Sequence, residues 1–162
     1  MARSVDFCEH PLSFVPRAAR PAMASLHPLD EAVELMFYGH RGIIRDADNY
    51  LAQFGLAHAH LRMMYILARH DGINIGDLVS ALGISKQAVQ RPLKTLLDEG
   101  FVAVSRDPSR HRYKALHLTQ RGREIEHEAS ELKRALLAKA FAGDNAATQA
   151  WTRIMRAIAE NA

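Results

Sequence analysis

The sequence predicts a mainly α-helical protein that carries one small β-hairpin. Apolar residues recur at helical spacing from residue 29 onwards. Two short helices joined by a glycine-containing turn are predicted between residues 74 and 99, and two β-favouring segments follow them directly. The chain has 162 residues, of which 48% are hydrophobic. It is therefore long enough to bury a hydrophobic core of its own.

The amino-terminal part is predicted to contain an arm and a long helix. Pro11, Pro16 and Pro21 interrupt any helical period in residues 1–26, which we expect to form a mobile or loosely docked arm. The helix that follows is expected to end at Gly55. Its apolar side is a seam with alternating steps of four and three residues, formed by Leu29, Val33, Met36, His40, Ile43, Ala47, Tyr50 and Phe54. Such a heptad-like seam predicts packing against another helix, including one from a second subunit.

Three further helices are predicted between residues 58 and 100. The first covers about residues 58–70. The second is expected to begin after the cap Asn74 and to end at Gly83. The third is expected to begin after the cap Ser85 and to end at Gly100. Two short helices joined by so tight a turn form a helix-turn-helix.

Pro92 conflicts with the third of these helices. Proline lacks a backbone N–H and disfavours helical geometry at the preceding residue. Either the helix bends at Pro92 or a new helix begins there, and the leucine spacing across the site favours the bent helix.

A β-hairpin and two helices are predicted to complete the chain. The strands are Phe101–Ser105 and Tyr113–Leu118, with a turn at residues 107–109. Thr119 is expected to cap a long helix that ends at residues 143–145. The last helix carries Trp151, Ile154, Met155 and Ile158 on one side.

This order predicts a winged helix-turn-helix with long terminal dimerisation helices. Its expected parts are a flexible arm over 1–26, an amino-terminal dimerisation helix over 27–57, the winged helix-turn-helix over 58–119 and carboxy-terminal dimerisation helices over 120–162.

The charge distribution favours a polyanionic partner. Residues 84–123 contain nine basic and three acidic residues, whereas the rest of the chain contains 12 basic and 15 acidic residues. A basic block on a nearly neutral body predicts a nucleic-acid-binding face, although a solvated basic surface explains the same charge.

The spacing within the Ser85–Glu99 helix places polar side chains on one face. An α-helix fits the major groove of DNA, where Gln pairs with adenine and Arg with guanine. We therefore predict DNA contacts from Ser85, Lys86, Gln87, Gln90, Arg91 and Lys94. The basic wing adds Arg106, Arg110 and Arg112, since a narrow minor groove attracts arginine. A plain solvent-exposed face remains the alternative for both sets.

Several motifs lie along the helix-turn-helix and the wing. The most specific are Leu82-Gly83-Ile84-Ser85 and Leu118-Thr119-Gln120-Arg121-Gly122. Others are Gly55-Leu56, Ala59-His60-Leu61-Arg62, Ile75-Gly76-Asp77-Leu78, Lys86-Gln87-Ala88-Val89, Leu96-Leu97-Asp98-Glu99-Gly100-Phe101-Val102 and Arg112. This set resembles the MarR family of regulators, and the similarity runs from about residue 29 to 160. The resemblance implies a homodimer on double-stranded DNA at a pseudo-palindromic operator, usually a repressor relieved by a small ligand.

The sequence departs from the family pattern in two places. The family wing usually has Asp two residues before its groove-binding arginine, whereas this chain has Arg110 before Arg112. Redox-sensing members carry a cysteine in the first long helix, whereas the only cysteine here is Cys8. Peroxide sensing is therefore not expected.

The resemblance also implies an effector pocket where the first two helices meet the helix-turn-helix. Its candidate residues are Phe37, Tyr38, Arg41, His60, Arg62 and Tyr65, a set that suits a small aromatic carboxylate. The same residues are equally suited to core packing and structural ion pairs.

Other function classes have little support. His58 and His60, with His40 expected nearby, lack the i, i+4 spacing of two ligands on one helical face, so no metal or other cofactor is predicted. Ser85 and Thr119 are expected as caps rather than nucleophiles, so the chain is not predicted to be an enzyme.

The single cysteine and the lack of a long apolar run fit a cytoplasmic protein without a membrane segment. The rival function is a winged-helix module that binds a partner protein without specific DNA binding.

Overall fold

The computed structural model describes residues 27–106 and 114–161. The predicted arm over 1–26 and the wing residues Arg110 and Arg112 lie outside the described residues. The chain forms two compact units, divided after Met36. Of the first unit, the structure describes residues 27–36. In this segment the backbone amide of His27 donates to the carboxylate of Asp30 (2.8 Å) at the start of the first helix.

Six helices and one two-stranded sheet make up the described chain, as the mainly α-helical prediction requires. The helices are α1 (Asp30–Ala52), α2 (His58–Arg69), α3 (Ile75–Leu82), α4 (Lys86–Asp98), α5 (Gln120–Phe141) and α6 (Asn145–Ala159). The strands are β1 (Val102–Arg106) and β2 (Lys114–Leu118), which pair antiparallel with Val102 opposite Leu118 and Arg106 opposite Lys114.

The predicted caps of α3, α4 and α5 are all present. The side chain of Asn74 accepts from the amide of Asp77 (3.0 Å), and Ser85 Oγ accepts from the amide of Ala88 (3.2 Å). Thr119 Oγ1 accepts from the amide of Gly122 (3.1 Å). Each bond satisfies a first-turn N–H that the helix itself leaves unpaired.

Pro92 lies inside a single helix, since α4 runs unbroken from Lys86 to Asp98. A new helix beginning at Pro92, one of the two alternatives, is therefore not observed. The apolar side of α4 buries Val89, Leu93 and Leu96. Burial of these three side chains on both sides of the proline offsets the one backbone hydrogen bond that proline removes.

One hydrophobic core joins α2, α3, α4 and the hairpin. Its largest fully buried side chains are Phe101, Leu51, Leu61, Met63, Met64, Leu67, Leu78, Leu96, Leu116 and Val89. The hairpin is attached to the turn between α2 and α3 by a short bridge, in which the amide of Gly72 donates to Leu116 and the amide of Leu116 donates to Ile73. The core thus fixes α4 and the hairpin side by side.

Candidate nucleic-acid interface

The polar face of α4 consists of Ser85, Lys86, Gln87, Gln90, Arg91 and Lys94, and all six residues are exposed. The opposite side of the helix is buried, so the helix is held by its apolar side while this face stays free. The free amides at its first turn and the Lys86 ammonium suit phosphate oxygens. Gln90 and Arg91 lie further along the same face, where their planar groups suit base edges.

Lys94 is already engaged in an ion pair on this face. Its ammonium forms an ion pair with Asp98, one helical turn further along. Both side chains are more than half exposed, so this pair contributes little to stability. A phosphate would have to compete with Asp98 for Lys94.

The hairpin places further basic residues next to α4 in the chain. Arg106 is the last residue of β1, and the exposed Lys114 is its partner at the start of β2. Both strands lead towards residues 107–113, which contain Arg110 and Arg112 and lie outside the described residues. The described strands therefore support the predicted wing up to its tip.

The base of the wing carries a polar chain that the sequence did not predict. Nδ1 of His117 lies 2.9 Å from a carboxylate oxygen of Asp71, and Nε2 lies 2.8 Å from Ser105 Oγ. Asp71 and His117 are 46 residues apart, so local sequence patterns carry no signal for this contact.

A cavity of about 230 Å³ lies near two of the predicted effector residues. Arg62 and Tyr65 of α2 line it together with Leu61, Ile66, Ala81, Leu82 and Lys133. Arg62 donates to the backbone carbonyl of Leu82 (3.0 Å), which holds its guanidinium at the wall. Phe37, Tyr38, Arg41 and His60 are not among the lining residues.

Lys133 of α5 is the cavity residue that sequence reasoning missed. Burial lowers the pKa of its ammonium, while Asp48 and Glu126 act in the opposite direction. Local sequence patterns carry no signal for Lys133, because the other lining residues belong to α2 and α3, far from α5 in the chain.

The remaining effector candidates have other surroundings. Phe37, Tyr38 and Arg41 are exposed on α1. Nδ1 of the half-buried His60 accepts from the amide of Ala57 (2.9 Å). Burial lowers the pKa of His60.

The three candidate metal ligands His40, His58 and His60 do not form a metal centre in the described chain. His40 and His58 meet edge to face with their ring centroids 5.8 Å apart. Across residues 27–106 and 114–161, no three His, Cys, Asp or Glu side chains are arranged to hold a metal ion. No helix in these same ranges has the length and apolar character to span a membrane.

The chain is similar in sequence to known transcriptional regulators. The model of the MarR family matches residues 54–112, which include α2, α3, α4 and β1. The HTH-type transcriptional regulator PetP of Rhodobacter capsulatus is 37% identical over 115 residues, covering 70% of this chain and 68% of PetP.

Solved structures share the fold. A MarR transcriptional regulator from Methanosarcina mazei Go1 superposes with a TM-score of 0.68 at 23% identity, covering 81% of this chain and 95% of that one. The transcriptional repressor CouR, bound to a 23-mer DNA duplex, gives a TM-score of 0.62 at 24% identity, covering 83% and 99%. From the match to PetP and the family model, the chain belongs to the MarR family, whose members are DNA-binding transcriptional regulators and not enzymes.

Proposed function

We propose that this chain is a cytoplasmic, homodimeric repressor that binds a pseudo-palindromic operator and is released by a small aromatic ligand. The observation that carries the proposal is the polar face of α4, whose six exposed side chains lie opposite an apolar side that buries Val89, Leu93 and Leu96. The adjoining basic hairpin supplies the second contact. In this account α4 enters the major groove and the wing contacts the flanking minor groove or backbone.

The contacts divide into two kinds. Ser85, Lys86 and Lys94 bind phosphates and set the position of the helix, and Gln87, Gln90 and Arg91 contact base edges. On the wing, Arg112 enters the minor groove, with Arg106 and Arg110 supporting it electrostatically. The CouR structure supports DNA binding as the function of this fold, because that repressor has the same fold and is bound to a DNA duplex.

Homodimer formation is supported by apolar side chains that stay uncovered in the single chain. On α6, Trp151, Ile154 and Ile158 are 43%, 56% and 44% exposed and recur at helical spacing. None of the α6 residues is buried. In the other compact unit, Leu29, Val33 and Met36 of the predicted seam are also exposed. Burial of such surfaces between two copies would stabilise a dimer.

Ligand release is supported by the cavity beside α2 and α3. Leu61, Ile66 and Leu82 give it an apolar wall, Tyr65 an aromatic ring, and Arg62 and Lys133 positive charge. A small aromatic carboxylate matches this combination. Because α3 belongs to the helix-turn-helix, a ligand there would couple to the position of α4. Titration with aromatic acids should weaken DNA binding and raise thermal stability; no change in either would contradict the ligand assignment.

The direct test of the proposal is selection of genomic fragments by the purified protein, followed by binding to the enriched sequence across a salt series. We expect an inverted repeat that is bound well above scrambled DNA, with affinity falling as salt rises. Salt-sensitive binding without an enriched sequence would contradict the proposal and favour the protein-interaction module.

A further inference from the structure

We propose that His117 is a positioning residue for DNA binding, acting through a link that fixes the β-hairpin on the turn between α2 and α3. The His117 link consists of Asp71, His117 and Ser105. It rests on the proposed function, because its effect is measured as operator affinity.

The link joins three segments of the chain. His117 is on β2, Ser105 is on β1 and Asp71 precedes α3, and the two contacts of the imidazole are 2.9 Å and 2.8 Å long. In the strand register, Ala103 faces His117 and Ser105 faces Ala115. Ser105 and His117 are therefore diagonal neighbours on one face of the hairpin, a spacing that long side chains can bridge.

The carboxylate fixes the tautomer of the ring. Ionised Asp71 can only accept, so Nδ1 of His117 must carry a hydrogen. When the ring is neutral, Nε2 accepts from the Ser105 hydroxyl; when the ring is protonated, Nε2 donates to the same oxygen. Because a hydroxyl both donates and accepts, the link persists in either state.

Among the described residues, backbone hydrogen bonds connect β2 to the turn between α2 and α3. Leu116 of β2 exchanges hydrogen bonds with Gly72 and Ile73, at 3.1 Å and 2.9 Å. The His117 link adds a side-chain connection that reaches across to β1. Rotation of the hairpin about β2 would break it, so the link sets the angle at which both strands, and the wing beyond them, approach DNA.

Asp71→Ala gives a test in which positioning and simple electrostatics predict opposite results. Removing an acid near a DNA-binding surface should by itself strengthen binding to a polyanion. If Asp71 positions the wing, Asp71→Ala should instead weaken binding to the selected repeat by about threefold to tenfold, the scale of one or two hydrogen bonds. Asp71→Asn keeps an acceptor for Nδ1–H and should restore most of the affinity.

The second partner and a control complete the series. His117→Ala should weaken binding as much as Asp71→Ala. The double variant should bind DNA no more weakly than the single variant with the lower affinity, since both substitutions remove the same link. Glu99→Ala removes an exposed acid outside the link and should not weaken binding. Equal or tighter binding by Asp71→Ala, with the wild type binding its repeat, would overturn the proposal.

A measurement without DNA separates this inference from the proposed function. In the free protein, Asp71→Ala should speed hydrogen exchange of the Leu116 and Gly72 amides, while the urea midpoint stays close to that of the wild type. Unchanged exchange at both amides would overturn the link even if the protein binds its repeat. Failure of the wild type to bind any selected sequence would contradict the proposed function and, with it, the role of the link in DNA binding, while the exchange rates would still decide whether the link holds the hairpin.

Discussion

At the residue scale, Gly122 allows the start of α5 to pass close to the backbone of Phe101. A Cβ atom at this position would lie 2.1 Å from the carbonyl oxygen of Phe101 and 3.0 Å from its carbonyl carbon. The same carbonyl accepts from the amide of Thr119 (3.0 Å), and the Thr119 hydroxyl donates to the carbonyl of Gly100 (2.8 Å). The Leu-Thr-x-x-Gly motif therefore encodes a close crossing of two backbone segments.

Gly122→Ala should destabilise the fold. The added methyl group meets backbone rather than a flexible side chain, so relief requires a shift of α5 or of Phe101, at a cost of about 1–3 kcal/mol or more. Urea unfolding followed by circular dichroism measures the change. Gly39→Ala is the matched control, because no atom of the described residues lies within 4 Å of its added Cβ and alanine favours a helix interior. A Gly122→Ala variant as stable as the wild type would contradict the described crossing.

His58 predicts how stability depends on pH. Burial and the nearby Lys133 lower the pKa of His58 below 6.5, and Asp48 only partly opposes them. The unfolded chain therefore binds a proton more readily than the folded chain, so stability should fall as pH drops through 6.5 and level off below the folded pKa. His60, whose pKa is also lowered, acts in the same direction.

Urea unfolding at pH 7.5 and pH 5.5 tests this dependence. The wild type should have the lower midpoint at pH 5.5, and His58→Gln should show a smaller difference between the two conditions. His27→Gln is the control, since His27 is exposed. If His58→Gln keeps the full pH dependence, His58 is not its source.

At the scale of elements, the sequence predicted what local chemistry determines. The caps Asn74, Ser85 and Thr119 were predictable because a short polar side chain satisfies an amide three residues away. The sequence showed that Pro92 conflicts with a regular helix. It could not show that α4 continues through Pro92, because that depends on burial against other helices. Lys133 and the His117 link could not be predicted, because both depend on segments far apart in the chain.

Two substitutions should separate the roles of α4 and the wing. Gln90→Ala removes the side chain proposed to contact a base edge and should relax base preference at one position of each half-site, by about 1–3 kcal/mol. Arg112→Ala removes the positive charge proposed to enter the minor groove and should weaken binding to all sequences and flatten the salt dependence. Binding titrations with a panel of single-base variants measure both. The same uniform loss in the two variants would contradict this division of roles.

At the scale of the whole molecule, the proposed dimer explains why α6 has exposed apolar residues. Ile154 is 56% exposed on a helix without a buried residue. Ile154→Glu would place a charge in the proposed subunit interface and should shift the protein from dimer to monomer in sedimentation experiments. Arg153→Glu changes charge at the neighbouring exposed position and should leave the dimer intact. A dimeric Ile154→Glu protein would exclude α6 as the interface.

Binding to half-site and spacing variants of the selected repeat tests the central claim most directly. A dimer with one α4 in each of two successive major grooves requires half-site centres about 10 base pairs apart. Two protomers should bind the intact repeat. Insertion of five base pairs between the half-sites should reduce affinity to that of a single half-site, because one half then faces the opposite side of the duplex. Binding that is unaffected by the insertion, or one protomer on the intact repeat, would contradict the account.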